Sequence, residues 1–483
     1  RYTPSSTLQR MELLKTGYMG TLSLGWDNYL FLELTGRQER SSTLKDQSFF
    51  YPSANLSFLF TQAFHMPSWW NYGKLRLSYG IVGNAPETYT ANIVYEQGSD
   101  NGFTWNTIPS SWGNADIRPE KKYEYEIGLE SKFLNNRLGI DVSYYNNRVK
   151  DQILSTPQPS TSGVKNVLMN VGEVANHGWD ISISATPILT RDFRWDLTAN
   201  YGVYKNKVVK LADGVPYLEI LNSGGSGIKI QAVEGQPMGD IYAQVPQVNE
   251  NGEYLVSDKG LYLNQTELQK VGNINPAGVG GLFNSFSYKN VFLDFSIDFR
   301  IGGDVINEMN QYATAVGLTP ESLKYRDTEH GGLSYYYPGD NNSSGIPVQV
   351  DPSTGVGPNG EIIYHDGIIL PGVVASTGER NTRIIPAGYY YNTTYNWGTE
   401  AEQLTYRHSV FDNSYVKLRE LTIGYQFPEK MISKLGLGRL SVSVFGRNLF
   451  YFYKALKNYD AESSVGTSWA NQATVGSSTT ATR

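Results

Sequence analysis

Hydrophobic and polar residues alternate in period two along much of the chain. In VFLDFSIDFR, Val291, Leu293, Phe295, Ile297 and Phe299 fall on one side, and Phe292, Asp294, Ser296, Asp298 and Arg300 on the other. Successive side chains of a strand point to opposite faces, so this spacing predicts a β-strand with one apolar face. FRWDLTANYGV sets Phe193, Trp195, Leu197, Ala199, Tyr201 and Val203 against Arg194, Asp196, Thr198 and Asn200. YEYEIGLESKF sets Tyr123, Tyr125, Ile127 and Leu129 against Glu124, Glu126 and Glu130. LGIDVSYY, WDISISAT and RLSVSV repeat the pattern at 138–145, 179–186 and 439–444, and weaker copies lie at 20–24, 29–34, 54–60, 74–79 and 282–288. Near 414–427 the apolar phase switches between Leu418 and Leu421, which predicts a bulge at Arg419–Glu420. The count is twelve strands.

The connections between them alternate in length. Residues 25–28, 66–73, 135–137, 187–192 and 289–290 form short links, 428–438 a modest one, and 37–48, 81–121, 150–177, 205–278 and 303–413 longer ones. Up-and-down strands place successive connections at opposite ends, so short turns gather at one end and long loops at the other. A soluble sandwich has no reason to sort loops in this way, whereas a transmembrane β-barrel has short periplasmic turns and long extracellular loops. Strands of about 9–11 residues suffice to cross a bilayer when tilted. The apolar face ends in aromatics near the short turns, at Trp26, Trp69, Trp70, Phe133, Trp195 and Tyr288, as expected of an interfacial girdle. The fold class read here is all-β, a transmembrane antiparallel barrel.

Composition narrows the function. A formal net charge of −6 argues against a nucleic-acid partner, because phosphate binding requires a basic surface. With no Cys, thiolate metal sites and disulfides are excluded. No apolar run approaches the roughly 18 residues of a transmembrane helix, and no signal peptide opens the chain at RYTPSSTLQR. These features fit either a cytoplasmic protein or a piece whose beginning lies elsewhere. The five His are scattered without a paired spacing, and GGSGIK (224–229) lacks the P-loop pattern. No catalytic constellation is marked, and no enzyme is expected.

Five segments, in order, resemble one family, the SusC/RagA-type TonB-dependent transporters. They are NADIRPEKKYEYEIGLESKFLNNRLGIDVSYYNNRVKDQI (114–153), NVGEVANHGWDISISATPI (170–188), FSYKNVFLDFSIDFRIGGDVIN (286–307), DNSYVKLRELTIGYQFP (412–428) and LSVSVFGRNLF (440–450). The run Asn114-Ala115-Asp116-Ile117-Arg118 stands where the family tends to have Pro and Lys. The resemblance implies a 22-stranded barrel with a plug in its lumen. Residues 1–483 would then be the C-terminal part of the barrel, with the plug, the first strands and the TonB-coupling segment upstream and a last strand downstream. It further implies an outer-membrane location, import of oligosaccharide or peptide driven by TonB, and a SusD-like surface lipoprotein as a lid. Oligosaccharide is the favoured cargo. The alternatives are a surface glycan-binding or adhesion β protein that transports nothing, and a soluble all-β glycan hydrolase.

Aromatic rings on the long loops are the substrate-binding candidates, because sugar rings stack on aromatic faces: Trp105, Trp112, Tyr335, Tyr336, Tyr337, Tyr389, Tyr390, Tyr391 and Trp397. Tyr395 belongs to the same cluster. The same residues would serve loop packing or an interface with the lid. Arg194, Asp196, Asp294, Asp298 and Arg300 are expected to face the lumen and the plug. DNNSSGIPVQVD (340–351) is a loose EF-hand look-alike in which Asp340, Asn342, Ser344 and Asp351 would be calcium ligands, although Glu is absent from the last position. No other metal or cofactor is expected.

Overall fold

The computed structural model describes residues 11–45, 48–100, 103–223, 227–339, 345–396, 402 and 406–462. Twelve strands form one antiparallel meander. They are Lys15–Trp26 (β1), Leu30–Ser41 (β2), Ser48–Phe58 (β3), Trp70–Asn84 (β4), Glu120–Phe133 (β5), Leu138–Lys150 (β6), Glu173–Leu189 (β7), Phe193–Lys210 (β8), Pro276–Tyr288 (β9), Val291–Gly302 (β10), Tyr415–Gln426 (β11) and Ser441–Lys454 (β12). Each pairs with its sequence neighbours, and among the described residues the outer edges of β1 and β12 carry no partner strand. No helix is long and apolar enough to cross a membrane.

The strands run from 11 to 18 residues, longer than a bilayer crossing requires. β8 illustrates the reason. Its first half alternates strictly, whereas its end, YKNKVVK, mixes polar and apolar residues on both sides and has no period to read. Backbone pairing continues regardless, with Val174 opposite Val208 and Asn176 opposite Asn206. Past the apolar band the ladder needs only a partner strand.

The turns at one end are tight. Asp27 and Asn28 link β1 to β2 with positive φ, Leu134, Asn135 and Asn136 do so between β5 and β6, and Lys289 turns β9 into β10. Such left-handed residues match the twist of paired strands. Arg137 ties the β5–β6 turn to the end of β7, donating through Nε and Nη2 to the carbonyl of Thr186 and through Nη2 to that of Pro187. The girdle assembles at this end. Trp69 stacks on Trp70 and on Phe133, and Trp195 stacks on Phe286 at 5.5 Å.

Register fixes the faces. Ile297 lies between Leu282 and Leu418, and Leu293 between Phe286 and Ile423. Leu22, Ile127, Trp179, Ile423 and Val444 are all exposed on this side. So broad an apolar surface marks contact with lipid. The expected bulge is present, since pairing with β10 jumps from Ser296–Glu420 to Ile297–Leu418 and leaves Arg419 unopposed.

The strands hold little of the chain's own core. Among the described residues, Phe49, Val174, Val208 and Leu418 are the buried hydrophobics within the twelve strands. The core lies in the long loops. Connections 211–275 and 303–414 fold into one body: Leu255–Val256 pairs in parallel with Val373–Val374, and Ile228, Ile230, Ile241, Ala243 and Ile274 share a cluster with Ile306, Tyr406 and Val410. A helix at Glu308–Ala315 is capped by Asn307, whose side chain accepts from the Asn310 amide, and a second helix spans Ala387–Tyr395. The carboxylate of Glu361 gathers the amides of Asn359 and Gly339 and the Asn359 side chain, which hold it down at about 2.

Two outcomes follow. Phe295→Arg on the lipid face should cost about 2–4 kcal/mol near the midplane, while Asp294→Arg next to it should leave assembly largely intact; the folded fraction from heat-modifiable gel migration compares them, and equal damage from both would refute the assignment of faces. Glu361 is depressed below its unfolded value of about 4.3. Its contribution is therefore present above that pH and is lost as pH falls toward 2. Amide exchange at 357–361, corrected for intrinsic rates, should quicken over that interval, and Glu361→Gln should flatten the dependence.

Candidate functional site: the luminal wall and loop body

The polar face of the meander is its concave face. Arg76 of β4, Asp141 and Ser143 of β6, Asp180 and Ser182 of β7, Asn200 of β8, Gly281 of β9, Asp298 of β10 and Tyr415 of β11 line one cavity of about 710 Å³. Side chains from strands so far apart meet only if the sheet curls toward them. Register shows the same side chains as continuous rows: Arg76, Gly128, Ser143, Asp180 and Gly202 follow one another across β4 to β8. The neighbouring row holds Glu130, Asp141, Ser182, Asn200, Gly281 and Asp298.

Most charges on this wall are paired sideways. Arg76 reaches across β5 to Asp141, donating through Nη2 to Oδ1 at 2.6 Å and through Nη1 to Oδ2 at 3.2 Å. Gly128 makes the crossing possible, because a Cβ there would stand 2.8 Å from Arg76 Nη2. Glu130 lies 3.6 Å from the same guanidinium. Arg419, released by the bulge, meets Asp298 at 2.5 Å and Glu462 at 2.5 Å, and Lys417 meets Glu462 at 2.5 Å. Hydrogen bonds from Arg419, set against the cost of burial, hold the Glu462 carboxyl down at about 2. A row of amides lies toward the long-loop end, where Asn176 donates to Asn147 at 2.9 Å and Asn147 donates to Glu124 at 3.2 Å.

The five residues expected at the lumen have these positions. Arg194 bonds Asp196 two residues on, at 2.5 Å, and Thr186 donates to the same carboxylate at 2.7 Å. Asp294 accepts from Ser285 at 2.6 Å, and Asp298 holds Arg419. Arg300 is drawn to the root of the loops, where it donates to the carbonyls of Gly302 and Ile274, both at 3.1 Å.

The loop aromatics divide. Tyr335, Tyr337 and Tyr391 are buried at 1%, 6% and 4% exposure, so their rings pack loop on loop rather than meeting solvent. Tyr335 stacks on Tyr364 and donates to Asp366 at 3.1 Å, and Tyr391 donates to the Glu321 carbonyl at 2.7 Å. Burial pushes the Tyr335, Tyr337 and Tyr391 hydroxyls up, Tyr391 to about 12. Burial likewise raises Tyr390, which lies among Tyr391 and Tyr395, and Tyr395 stacks at 4.4 Å on His408. Burial lowers His408 to about 4. Tyr389 and Trp105 are exposed, Tyr336 is half-buried, and Trp112 lies edge-on to Tyr95. Trp397 lies outside the described residues.

Three of the four calcium-ligand candidates, Asp340, Asn342 and Ser344, also lie outside them. Asp351 uses Oδ1 to accept from the Ser353 amide and hydroxyl, in a turn of its own. Among the described residues no three His, Asp or Glu converge as a metal cluster would.

The pattern had already placed Asp141 and Asp180 on the polar face. Arg76 had the same signal in KLRLSY, and only register reveals its crossing over Gly128. Glu462 lies in an irregular segment with no signal.

The family model described as TonB dependent receptor-like, beta-barrel matches residues 3–246. TonB-dependent receptor P3 of Formosa agariphila is 24% identical over 494 residues, covering 93% of this chain and 42% of that protein. TonB-dependent receptor SusC of Bacteroides thetaiotaomicron is 30% identical over 247 residues, covering 47% of this chain and 24% of that protein. The solved structure titled the RagAB peptide transporter shares the fold, with a TM-score of 0.64, 19% identity, and coverage of 91% of this chain and 44% of its own. The chain thus spans less than half the length of the relatives it matches. Its paired, curled wall and its sequence make it a member of the TonB-dependent receptor β-barrel family of the outer membrane.

Proposed function

We propose that the whole protein is a TonB-powered importer of a large polar oligomer, an oligosaccharide or a peptide, and that it works with a SusD-like surface lipoprotein as a lid. The observation that carries this reading is the luminal wall. Its charges line the concave face and pair along it, whereas the outer face is mostly apolar. An adhesion protein that only displays loops has no use for a polar interior of that extent. The plug and the TonB-coupling segment belong, on this reading, to residues outside 1–483.

The cargo class rests on less. The burial of Tyr335, Tyr337 and Tyr391 withdraws three rings from any sugar platform and leaves Trp105 and Tyr389 as the open ones. The RagAB title names a peptide for that protein, and a peptide enters as a candidate here. Calcium at 340–351 remains a proposal that metal analysis of the purified protein would test; Asp340→Ala should remove any bound ion.

Cells carrying the intact gene should accumulate labelled oligomer only when TonB is present; uptake that persists without TonB would sink the active-transport reading, and binding without uptake would favour the adhesion alternative. Trp105→Ala and Tyr389→Ala should each weaken cargo binding by about 3–10-fold, the scale of one lost aromatic contact. Tyr335→Phe should leave affinity unchanged and lower the thermal stability of the loops. If Tyr335→Phe were the variant that lost affinity, the division into core and surface rings would be wrong.

A further inference from the structure

The cavity spanning β4 to β11 is not electrically balanced. Arg76 stands between two carboxylates, Asp141 at 2.6 Å and Glu130 at 3.6 Å, and Lys132 lies 3.8 Å from Glu130, so that group sums to zero. Asp298 is met by Arg419, and Glu462 joins Arg419 to Lys417, so that group sums to zero. Asp180 lies on the wall between these two groups. It makes no hydrogen bond or ion pair among the described residues, and neither do the side chains of Ser182 and Asn200, which face each other on β7 and β8. All three line the one cavity. Gly202 lies beside Asp180, and a Cβ at that glycine would come within 3.0 Å of Asp180 Oδ1, so the floor next to the carboxylate is open by virtue of having no side chain.

We propose that this niche receives a cationic nitrogen, a primary ammonium or a guanidinium. Asp180 is its counter-ion, and Ser182 Oγ and Asn200 Oδ1 accept its remaining N–H groups. The chemistry follows from the charge inventory. Asp180 is left over once those pairs are counted, so the niche is negative and an anionic group is repelled. A neutral hydroxyl can donate one hydrogen bond to the carboxylate but leaves its charge uncompensated. An ammonium or guanidinium offers several donors to three acceptors, and hydrogen bonds to an ionised carboxylate are roughly twice as strong as neutral ones. The cation has two possible sources. It is either the amino terminus or a Lys or Arg of a peptide cargo, which rests on the importer reading, or a basic side chain of the same protein from outside residues 1–483, which does not.

The test uses the full-length protein in detergent, with Asp180→Asn and Asp180→Lys. The probes are a lysine-containing hexapeptide and the same peptide acetylated on every amine. If the cation comes from cargo, Asp180→Asn weakens binding of the free-amine peptide by about tenfold, Asp180→Lys abolishes it, and the acetylated peptide is indifferent to both. If the cation comes from the protein itself, both peptides are unaffected. The unliganded protein then melts several degrees lower, with faster amide exchange in its upstream part, and Asp180→Lys is worse than Asp180→Asn. No change in peptide affinity, melting or exchange in either variant overturns the proposal. Should Asp180→Asn fail to assemble, Asn200→Ala removes one acceptor without altering charge and repeats the comparison. Uptake by cells is scored separately, so a protein that binds the free-amine peptide and never imports it overturns the importer reading and leaves the niche standing.

Discussion

A strand in lipid has no water to satisfy its backbone, so every N–H and C=O in the apolar band must find a partner on the next strand. The rest of this structure depends on that constraint. It forces the twelve strands into a meander in which each pairs with its sequence neighbours. Pairing sets register, and register decides which side chains share a face, because a shift of one residue would exchange lipid for lumen along a whole strand. The bulge in β11 is such a shift confined to one position. It restores the apolar phase from Leu418 to Leu421 and leaves Arg419 over for the lumen, where it joins Asp298 to Glu462.

The luminal wall follows from the same geometry. Charged side chains on adjacent strands lie close enough to pair laterally, and a glycine in the row lets a long side chain lie flat across an intervening strand, as Arg76 does over Gly128 to reach Asp141. The wall thereby neutralises most of its own charge. Surface ion pairs of this kind contribute little to stability individually, commonly 0–1 kcal/mol. Their larger consequence is electrostatic: what remains unpaired, Asp180 above all, determines which sign of charge the lumen favours.

Strand number, the short and long ends, the girdle and the bulge were legible in the sequence because each is written locally, in period two or in a break of it. Strand length was less so, since the ladder runs beyond the apolar band where Tyr204–Lys210 has no alternation. The loop body was not legible. Its core joins Ile230 to Val410 and Leu261 to Ile385, residues far apart in the chain, and no window of sequence carries that contact. The candidate tyrosines show the cost. Tyr335, Tyr337 and Tyr391 look like Tyr389 in composition, and only tertiary packing separates rings that hold the loops together from a ring that faces out. Arg194, Asp196, Asp294 and Asp298 lie on the polar face that alternation assigned them, while Glu462 reaches the site by a route that alternation does not encode.

The chain therefore solves two burial problems in two solvents. Its wall hides almost nothing from water within itself and leaves its apolar face to lipid. Its long loops, in water, build a core of the ordinary kind. That difference bears on how access to the lumen can change. To swing apart, 211–275 and 303–414 would have to expose Ile228, Ile230, Ile241, Ile306 and Val410 together, at about 1.5–3 kcal/mol for each side chain. A loop held that firmly is part of the rim and not a gate. Any change of shape at this end is therefore left to segments that the two loops do not bury.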